Sequence, residues 1–253
     1  MSQRCAVIVS LVGLFVCASG ASASFFDSFD SYAGQPDFQA AWPSWAADGS
    51  SLVLGPGYVH RESWTSDAAR NGRDLDSLTQ YAGTDAAPVK FQFSLYDSDP
   101  AGSLGLNAKD WVELRAYAGD GLPKAGGAVG LEGLIAMGLN TSPTPSSQFH
   151  ARVMGGGANN WYVLNAVRTP GWHQLTAMLG ATWVRFYVDG VADITVPLPT
   201  GPIAAFDGAI IGSGVSNGYD VAFDDILVEK TPEPVTLLLL AGGGLFVRRR
   251  APA

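Results

Sequence analysis

Several short segments of this 253-residue chain alternate between apolar and polar residues, and this pattern restricts the fold more than any other feature. Apolar side chains take every second position in residues 91–95, 112–116 and 184–188. Successive side chains of a strand point to opposite faces, so each segment predicts a strand with one buried face. Turn signals such as Asp189-Gly190 separate the segments, and no long helical period occurs. The sequence therefore predicts an all-β fold of many short antiparallel strands, a sandwich or a barrel.

The first 23 residues have the layout of a secretory signal peptide rather than of a folded segment. Arg4 precedes an apolar run over residues 5–17, and the small residues that follow include Ala21 and Ala23 in the A-x-A form after which signal peptidase cuts. The run is shorter than the roughly 20 residues that a membrane-spanning helix needs. We expect cleavage after Ala23, which removes both cysteines of the chain and leaves a secreted protein without thiol chemistry.

Residues 231–253 form a second terminal segment with a three-part pattern. The motif Pro232-Glu233-Pro234 comes first, an apolar stretch over residues 235–247 follows, and Arg248, Arg249 and Arg250 end it. As a helix the stretch would be about 20 Å long, which is shorter than the roughly 30 Å hydrocarbon core of a bilayer. The arginines would keep the carboxyl end on the cytoplasmic side. A plain carboxy-terminal membrane anchor is the alternative interpretation.

The order of a Pro-Glu-Pro motif, an apolar stretch with a glycine cluster and an arginine stop resembles the PEP-CTERM sorting signal of Gram-negative bacteria. The resemblance covers only this terminal segment. It implies transient anchoring in the inner membrane and processing near the Pro-Glu-Pro motif by exosortase, a membrane protease-transpeptidase. It also implies a final location in the cell envelope or the extracellular matrix, in association with exopolysaccharide or biofilm.

The body between the two terminal segments is acidic. The whole chain has 15 basic and 23 acidic residues, which give a formal net charge of −8. Several of the basic residues lie in the terminal segments, so the body itself is more acidic than the whole chain. Nucleic-acid binding needs a basic face and is not expected. An acidic body is compatible with divalent cations.

Two motifs in the body resemble those of a known superfamily. Residues 171–173 read Gly-Trp-His, residues 187–190 read Tyr-Val-Asp-Gly, and residues 223–228 form a candidate last strand. Together they resemble the paired strands of laminin-G-like and concanavalin A-like jelly rolls. The body has no obvious linker and no repeat, so we expect one domain over residues 24–230. The resemblance implies that this domain is an antiparallel jelly-roll sandwich of two sheets packed face to face. Its first strand would lie near residues 26–32 and pair near the last strand.

Motifs for catalysis are missing from the sequence. The glycanases of this superfamily carry their carboxylates along one strand as E-x-D-x-x-E, and none of the five glutamates has acidic neighbours at those offsets. Glu113 stands two positions from Arg115, which indicates an ion-paired surface residue. The three histidines show no metal-ligand spacing, and no phosphate loop occurs. We therefore expect a protein that is not an enzyme; a divergent glycanase is the less favoured alternative.

Four aspartates mark a candidate calcium site. Asp27 and Asp30 lie in the expected first strand, and Asp224 and Asp225 lie in the last. Calcium binds hard oxygen ligands, and jelly rolls of the superfamily that the chain resembles often hold a structural calcium where these strands meet. Adjacent strand residues point to opposite faces, so only one of Asp224 and Asp225 is expected to face inward. Alternatively, the carboxylates are solvated or cap a turn. No other cofactor is indicated.

Five aromatic residues are candidates for carbohydrate binding. Sugars bind to aromatic faces together with a few amide and carboxylate groups. Trp111, Tyr117, Trp183 and Tyr187 fall on strand faces opposite the aliphatic residues, and Trp161 follows two asparagines beside a glycine cluster. Outward aromatic side chains on a sheet suit a binding platform, although cross-strand aromatic pairs also stabilise sheets without binding anything.

These features together favour a secreted, exosortase-sorted surface or matrix protein whose jelly roll binds polysaccharide without catalysis. A purely structural or adhesive matrix protein with no discrete ligand is the alternative.

Overall fold

The structure, a computed structural model, describes residues 24–44, 52–60, 69–75, 83–98, 109–117, 130–140, 147–203, 206–213 and 221–231. The predicted signal-cleavage residues and the predicted sorting motif lie outside these ranges, so both terminal segments stay predictions. Within the described part of the chain, no helix has the length and apolar character that a membrane span requires.

Strands contain 67% of the described residues, and turns and one short helix join them. In chain order the elements are β1 (Ser24–Asp27), α1 (Gln35–Ala41), β2 (Val53–Gly55), β3 (Tyr58–His60), β4 (Ala69–Asp74), β5 (Val89–Asp97), β6 (Lys109–Tyr117), β7 (Leu131–Asn140), β8 (Gln148–Gly155), β9 (Ala158–Val167), β10 (Gly171–Leu179), β11 (Trp183–Val188), β12 (Val191–Pro197), β13 (Gly208–Ser213) and β14 (Val221–Lys230).

The strands form two antiparallel sheets. The eight-stranded sheet has the order β12-β11-β10-β5-β14-β3-β2, and β1 also pairs with β14; the six-stranded sheet has the order β4-β13-β6-β7-β8-β9. β5 pairs with one edge of β14. Along the other edge of β14, β3 pairs with its first half and β1 pairs with its second half. The prediction that the first and last strands pair is therefore confirmed, although the first strand is Ser24–Asp27 and not residues 26–32, so Asp30 lies in the turn that follows it. The all-β sandwich prediction is confirmed as well.

The pairing expected from the Gly-Trp-His and Tyr-Val-Asp-Gly motifs is also confirmed, because β10 and β11 are antiparallel neighbours. Asp189 and Gly190 connect β11 to β12 with φ values of 50° and 76°, as a two-residue turn of type I′ requires. Asp189 Oδ1 accepts a hydrogen bond from the backbone N–H of Gln174 at 2.8 Å. Asp189 Oδ2 lies 2.8 Å from Nδ1 of His173. Asp189 of the second motif therefore connects the turn after β11 to β10, which carries the first motif.

The core lies between the sheets and is filled by the inward-facing residues of both. Phe91, Phe93 and Phe186 come from the eight-stranded sheet, Leu114 and Phe149 come from the six-stranded sheet, and all five are fully buried. Complete burial of one such side chain contributes about 1.5–3 kcal/mol to folding. The packing of the two inner faces leaves one outer face on each side of the molecule. These two outer faces carry the aromatic residues of interest.

Candidate functional site

The five predicted carbohydrate-binding residues fall into two separate groups. Trp111 and Tyr117 lie on β6 and Trp161 lies on β9, all in the six-stranded sheet, whereas Trp183 and Tyr187 lie on β11 of the eight-stranded sheet. All but Trp161 alternate with core residues, and Trp161 packs with Trp111 outside the main core. The residues therefore point outward on opposite sides of the sandwich. They cannot form one platform.

On the six-stranded sheet the indole rings of Trp111 and Trp161 are in contact. Their centroids lie 5.1 Å apart in an edge-to-face arrangement. Strands β6 and β9 are three spacings apart in the sheet, about 14 Å, so the two rings lean toward one another over the strands between them. Ala136 and Gly138 of β7 lie beneath the rings, because they pair with Glu113 and Trp111 respectively. Their small size provides the space in which the indoles meet.

A hydrogen-bonded row of side chains follows β6 beneath the indole pair. Trp111 Nε1 donates to Glu113 Oε1 at 2.5 Å. The guanidinium of Arg115 pairs with the other oxygen of Glu113, and Arg115 Nη1 donates to the Tyr117 hydroxyl at 3.0 Å. All four side chains point away from the core, yet they are only 5–8% exposed. The interpretation of Glu113 as a surface residue was wrong, because this face of the sheet is shielded from solvent.

The charges of this row are fixed by their partners. Burial by itself lowers the pKa of Arg115, but the carboxylate of Glu113 and the hydroxyl of Tyr117 together outweigh that effect, and the pKa lies above its ordinary value. Burial raises the pKa of Tyr117, and the nearby guanidinium only partly opposes the shift. Arg115 therefore stays cationic and Tyr117 stays a neutral phenol over the physiological range. The row is a preorganised set of dipoles and charges beneath the indoles.

The accessible part of this site lies on β8 and β9. Trp161 is half-buried, and the guanidinium of its cross-strand neighbour Arg152 lies 5.7 Å from the centre of its ring. Asn159 is exposed and pairs with Met154. The glycine cluster beside these residues forms the β8–β9 turn, in which Gly156 and Gly157 have positive φ values of 59° and 84°. A type I′ turn needs positive φ values at both positions, so the turn itself explains why glycines are present, and no ligand has to be invoked.

The second aromatic group, on β11, makes contacts that stabilise its own sheet. Trp183 is half-buried, and the Arg185 guanidinium lies 5.2 Å from its ring centre. A Cβ atom added to Gly180 would lie 2.8 Å from the indole, so the ring packs closely on that glycine. Tyr187 is half-buried beside Thr176. These contacts, with Arg185 of the same strand and with Gly180 in the preceding turn, pack Trp183 onto its own sheet, and its role in carbohydrate binding stays a prediction.

The candidate calcium site is less well suited to a metal than the sequence indicates. Asp27 is 8% exposed, and its carboxylate accepts hydrogen bonds from the Phe29 amide at 2.9 Å, the Tyr32 hydroxyl at 2.5 Å and Trp42 Nε1 at 2.9 Å. Arg73 lies 3.9 Å away. These donors occupy both oxygens. Asp27 therefore fastens β1 to the segment around α1.

The other two sequence-adjacent aspartates lie in a bulge of β14. Phe223 and Ile226 both face the core although they are three positions apart, and the register with β5 shifts between Asp224 and Leu227. Asp225 has a positive φ of 53°. The expectation that one of Asp224 and Asp225 faces inward was wrong, because both lie in the bulge between two inward residues.

The four aspartates nevertheless lie close enough to affect one another, although Asp30 lies in the turn after β1 and not in a strand. Burial raises the pKa of Asp224 to about 6, with further contributions from Asp225, Asp30 and Asp27. Among the residues that the structure describes, no group of three or more candidate ligands is arranged to hold a metal ion. The calcium site stays a prediction.

Comparisons with solved structures identify the fold. The apo form of the transglycosylase Crh5 matches with a TM-score of 0.52 at 12% identity, over 84% of this chain and 86% of Crh5. The globular domain of T. cruzi calreticulin gives a TM-score of 0.52 at 12% identity, over 87% and 93%. The carbohydrate recognition domain of Emp46p, in a potassium-bound form, gives 0.48 at 9% identity, over 84% and 96%. No family model and no curated protein sequence matches this chain.

These comparisons correct one expectation. The prediction that the protein is not an enzyme is contradicted, because the similar structures include that of a transglycosylase, Crh5. The missing E-x-D-x-x-E pattern therefore does not decide between binding and catalysis. At 9–12% identity the likeness shows the fold alone. The chain has a concanavalin A-like jelly-roll β-sandwich fold.

Proposed function

We propose that this protein binds polysaccharide on the outer side of its six-stranded sheet, at the accessible edge formed by β8 and β9, where Trp161 is half-buried. The observation that carries the proposal is the contact between Trp111 and Trp161 above Ala136 and Gly138. An indole pair supported by a hydrogen-bonded polar row, on a face that points away from the core, has no role in joining the two sheets. Arrangements of this kind are typical of ligand sites, where apolar surface is combined with a few placed polar groups.

The chemistry of the accessible rim suits a sugar. The C–H face of a pyranose ring packs against an aromatic face, and Trp161 is the half-exposed member of the indole pair. The hydroxyl groups of a sugar need hydrogen-bond partners, which the Arg152 guanidinium and the exposed Asn159 amide supply. Beneath them, Glu113 holds the Trp111 indole in place. A rigid aromatic contact lowers the entropic cost of binding.

The proposed location follows from the terminal segments of the sequence. We propose that signal peptidase removes residues 1–23, and that exosortase processes the chain near Pro232-Glu233-Pro234 after transient anchoring through residues 235–250. The body would then reside in the cell envelope or the extracellular matrix, where polysaccharide is present. A structural or adhesive matrix protein with no discrete ligand is the competing proposal.

Affinity electrophoresis of the full chain tests the binding proposal. The protein migrates through native gels that contain hydroxyethyl cellulose, mixed-linkage β-glucan or alginate, and retardation reports binding. We expect Trp161→Ala to raise the dissociation constant about tenfold or more, a loss of about 1.4 kcal/mol. Trp183→Ala is the matched control on the opposite sheet. Equal retardation of the wild type and Trp161→Ala would remove this face from the binding site.

The same mixtures show whether bound polysaccharide is also altered, which the fold permits. Viscosity and reducing-end content would change if the protein cleaved the chains. For the location, fractionation with intact-mass measurement gives the two ends of the secreted form. A full-length chain in the medium or the outer membrane would contradict the sorting proposal.

A further inference from the structure

The outer face of the eight-stranded sheet carries a second aromatic cluster, made of Tyr58, His60, Tyr96 and Trp172. We refer to it as the Trp172 cluster. Trp172 is 47% exposed and Tyr96 is 39% exposed, so both belong to the exposed large apolar side chains of the described residues. The Trp172 cluster shares no residue with the Trp111–Trp161 site and lies on the opposite side of the sandwich.

The rings of the Trp172 cluster form a continuous chain of contacts. The centroids of Trp172 and Tyr96 are 5.4 Å apart, those of Trp172 and Tyr58 are 6.2 Å apart, and those of Tyr58 and His60 are 5.7 Å apart. Tyr96 and Trp172 are directly opposite one another on β5 and β10. Both contacts of Trp172 are edge-to-face, with interplanar angles of 62° and 65°. Neighbouring rings therefore hold the indole in one orientation.

A small residue between Tyr58 and Trp172 permits the contact of their rings. Strands β3 and β10 are three spacings apart, about 14 Å, so the rings of Tyr58 and Trp172 lean toward one another. Between them on β14 lies Ala222, which pairs with Tyr96 on one side and with His60 on the other. Ala222 is only 8% exposed, as expected for a residue beneath the rings.

Polar side chains occupy the next outward-facing position along β10, β5 and β14, two residues from the residues of the Trp172 cluster and Ala222. Gln174 is exposed and pairs with Ser94, and Ser94 pairs with Asp224 on its other side. The Ser94 hydroxyl lies 3.5 Å from Asp225 Oδ2. Side chains two residues apart on a strand are about 7 Å apart, so the Gln174 amide follows Trp172 along β10, and the Ser94 hydroxyl and the carboxylates follow on the next two strands. This is the combination of an aromatic face and hydrogen-bonding groups that a sugar needs.

Two other kinds of ligand fit the cluster less well. A quaternary ammonium group binds between the faces of separated aromatic rings, whereas the rings here touch one another at 5.4–6.2 Å and leave no space between them. An anionic polymer would meet Asp224 and Asp225 on a chain whose net charge is −8. An uncharged polysaccharide meets neither obstacle.

We infer that the Trp172 cluster is a second polysaccharide-binding site, in which an uncharged sugar stacks on Trp172 and its hydroxyls contact Gln174 and Ser94. This inference rests on the proposed polysaccharide-binding function. Because the two sites lie on opposite faces, one molecule binds two polysaccharide chains and links them. The protein would thereby organise a matrix and not only adhere to it.

Four single variants of the full chain separate the two sites. Trp172→Ala and Tyr96→Ala remove parts of the cluster, Trp161→Ala removes the first site, and Phe26→Ala removes an exposed aromatic side chain (59% exposed) outside both. Affinity electrophoresis in hydroxyethyl cellulose and in alginate measures binding, and thermal unfolding confirms that each variant is folded. We expect Trp172→Ala to raise the dissociation constant for hydroxyethyl cellulose at least about fivefold, Tyr96→Ala to act in the same direction, and Phe26→Ala to have no effect.

Cross-linking of polysaccharide is the second measurement. Wild-type protein should increase the viscosity of a hydroxyethyl cellulose solution, and both Trp161→Ala and Trp172→Ala should abolish that increase while each retains part of the binding. If Trp161→Ala abolishes all binding and Trp172→Ala none, the second site is overturned and the proposed function stands. If only Trp172→Ala reduces binding, the second site stands and the first face is overturned. No binding to any of the polysaccharides overturns both.

Discussion

The carboxylate of Asp97 and the guanidinium of Arg168 form a buried bidentate ion pair that connects the two sheets. Arg168 Nε lies 2.6 Å from Oδ2 of Asp97, and Nη2 lies 3.0 Å from Oδ1. The side chains are 0% and 1% exposed. Asp97 ends β5 in the eight-stranded sheet, and Arg168 directly follows β9 in the six-stranded sheet. The pair therefore fixes how the sheets meet at one end of the sandwich.

Replacement of Arg168 by methionine should be strongly destabilising. The substitution leaves the Asp97 carboxylate buried without its guanidinium, and the loss of one partner of a buried ion pair costs about 3–5 kcal/mol. Chemical denaturation measures the free energy of unfolding. The double variant D97L/R168M should recover much of the loss, because it removes both charges. A loss below about 1 kcal/mol for Arg168→Met would contradict the assigned role.

Gly138 is predicted to be required for the indole pair. Its φ is +150°, and an added Cβ would lie 2.4 Å from the Asp110 carbonyl oxygen and 2.6 Å from Cα of Trp111. Gly138→Ala should therefore cost about 3 kcal/mol or more and change the aromatic circular dichroism of the Trp111–Trp161 contact. Gly171→Ala is the control, since its φ of +125° is also unfavourable but no atom lies within 4 Å. Equal effects of the two variants would show that backbone strain alone is responsible.

Glu113 should be needed as a carboxylate and not only as an acceptor of one hydrogen bond. In Glu113→Gln an NH₂ group faces either Trp111 Nε1 or the Arg115 guanidinium, both of which are donors. The guanidinium is also left buried without a counter-charge. We expect a loss of about 3 kcal/mol in the free energy of unfolding and weaker polysaccharide binding. Glu229→Gln breaks the more exposed pair with Lys90 at 3.6 Å and should cost under about 1 kcal/mol. Similar losses in both variants would argue against the special position of Glu113.

The sequence pattern predicts strands well where only one face is buried. β5, β10 and β11 alternate between core residues and outward residues, and all three were predicted. β7 was not predicted, because both of its faces carry apolar or small residues, so no alternation exists to detect. Ala136 and Gly138, which make room for the indole pair, lie on this strand. The only sign of this strand in the sequence is the mainly apolar run of β7 itself, which contains two glycines.

The candidate sites were harder to predict because they depend on contacts between distant strands. Trp172 was interpreted only as part of the Gly-Trp-His motif, and its neighbours Tyr96 and Tyr58 come from segments far away in the sequence. Trp111 and Trp161 were predicted individually, but their contact requires the register of four strands. The bulge at Asp224 and Asp225 also changes which way the residues face, and a period of two cannot reveal it.

The last prediction concerns the pH dependence of stability, which Asp224 should influence in a distinctive direction. Its pKa is raised from the ordinary 3.8 to about 6 by burial and by the neighbouring carboxylates. The folded protein thus binds a proton that the unfolded chain does not, in the window between about pH 6 and pH 4. In this window the contribution of Asp224 to stability rises as the pH falls. At pH 7 the ionised carboxylate is a cost to the folded state.

Asp224→Asn should therefore stabilise the protein at pH 7 by about 1 kcal/mol, a value reduced for the solvent that reaches this half-buried group. The asparagine oxygen can still accept the hydrogen bond of the Asp225 amide. The gain over wild type should shrink as the pH falls through 6 and vanish near pH 4. Asp85→Asn is the control of opposite sign, because hydrogen bonds from Thr182 lower the pKa of Asp85. That variant should lose stability at pH 7. A pH-independent gain for Asp224→Asn would show that the carboxylate is not the group that titrates.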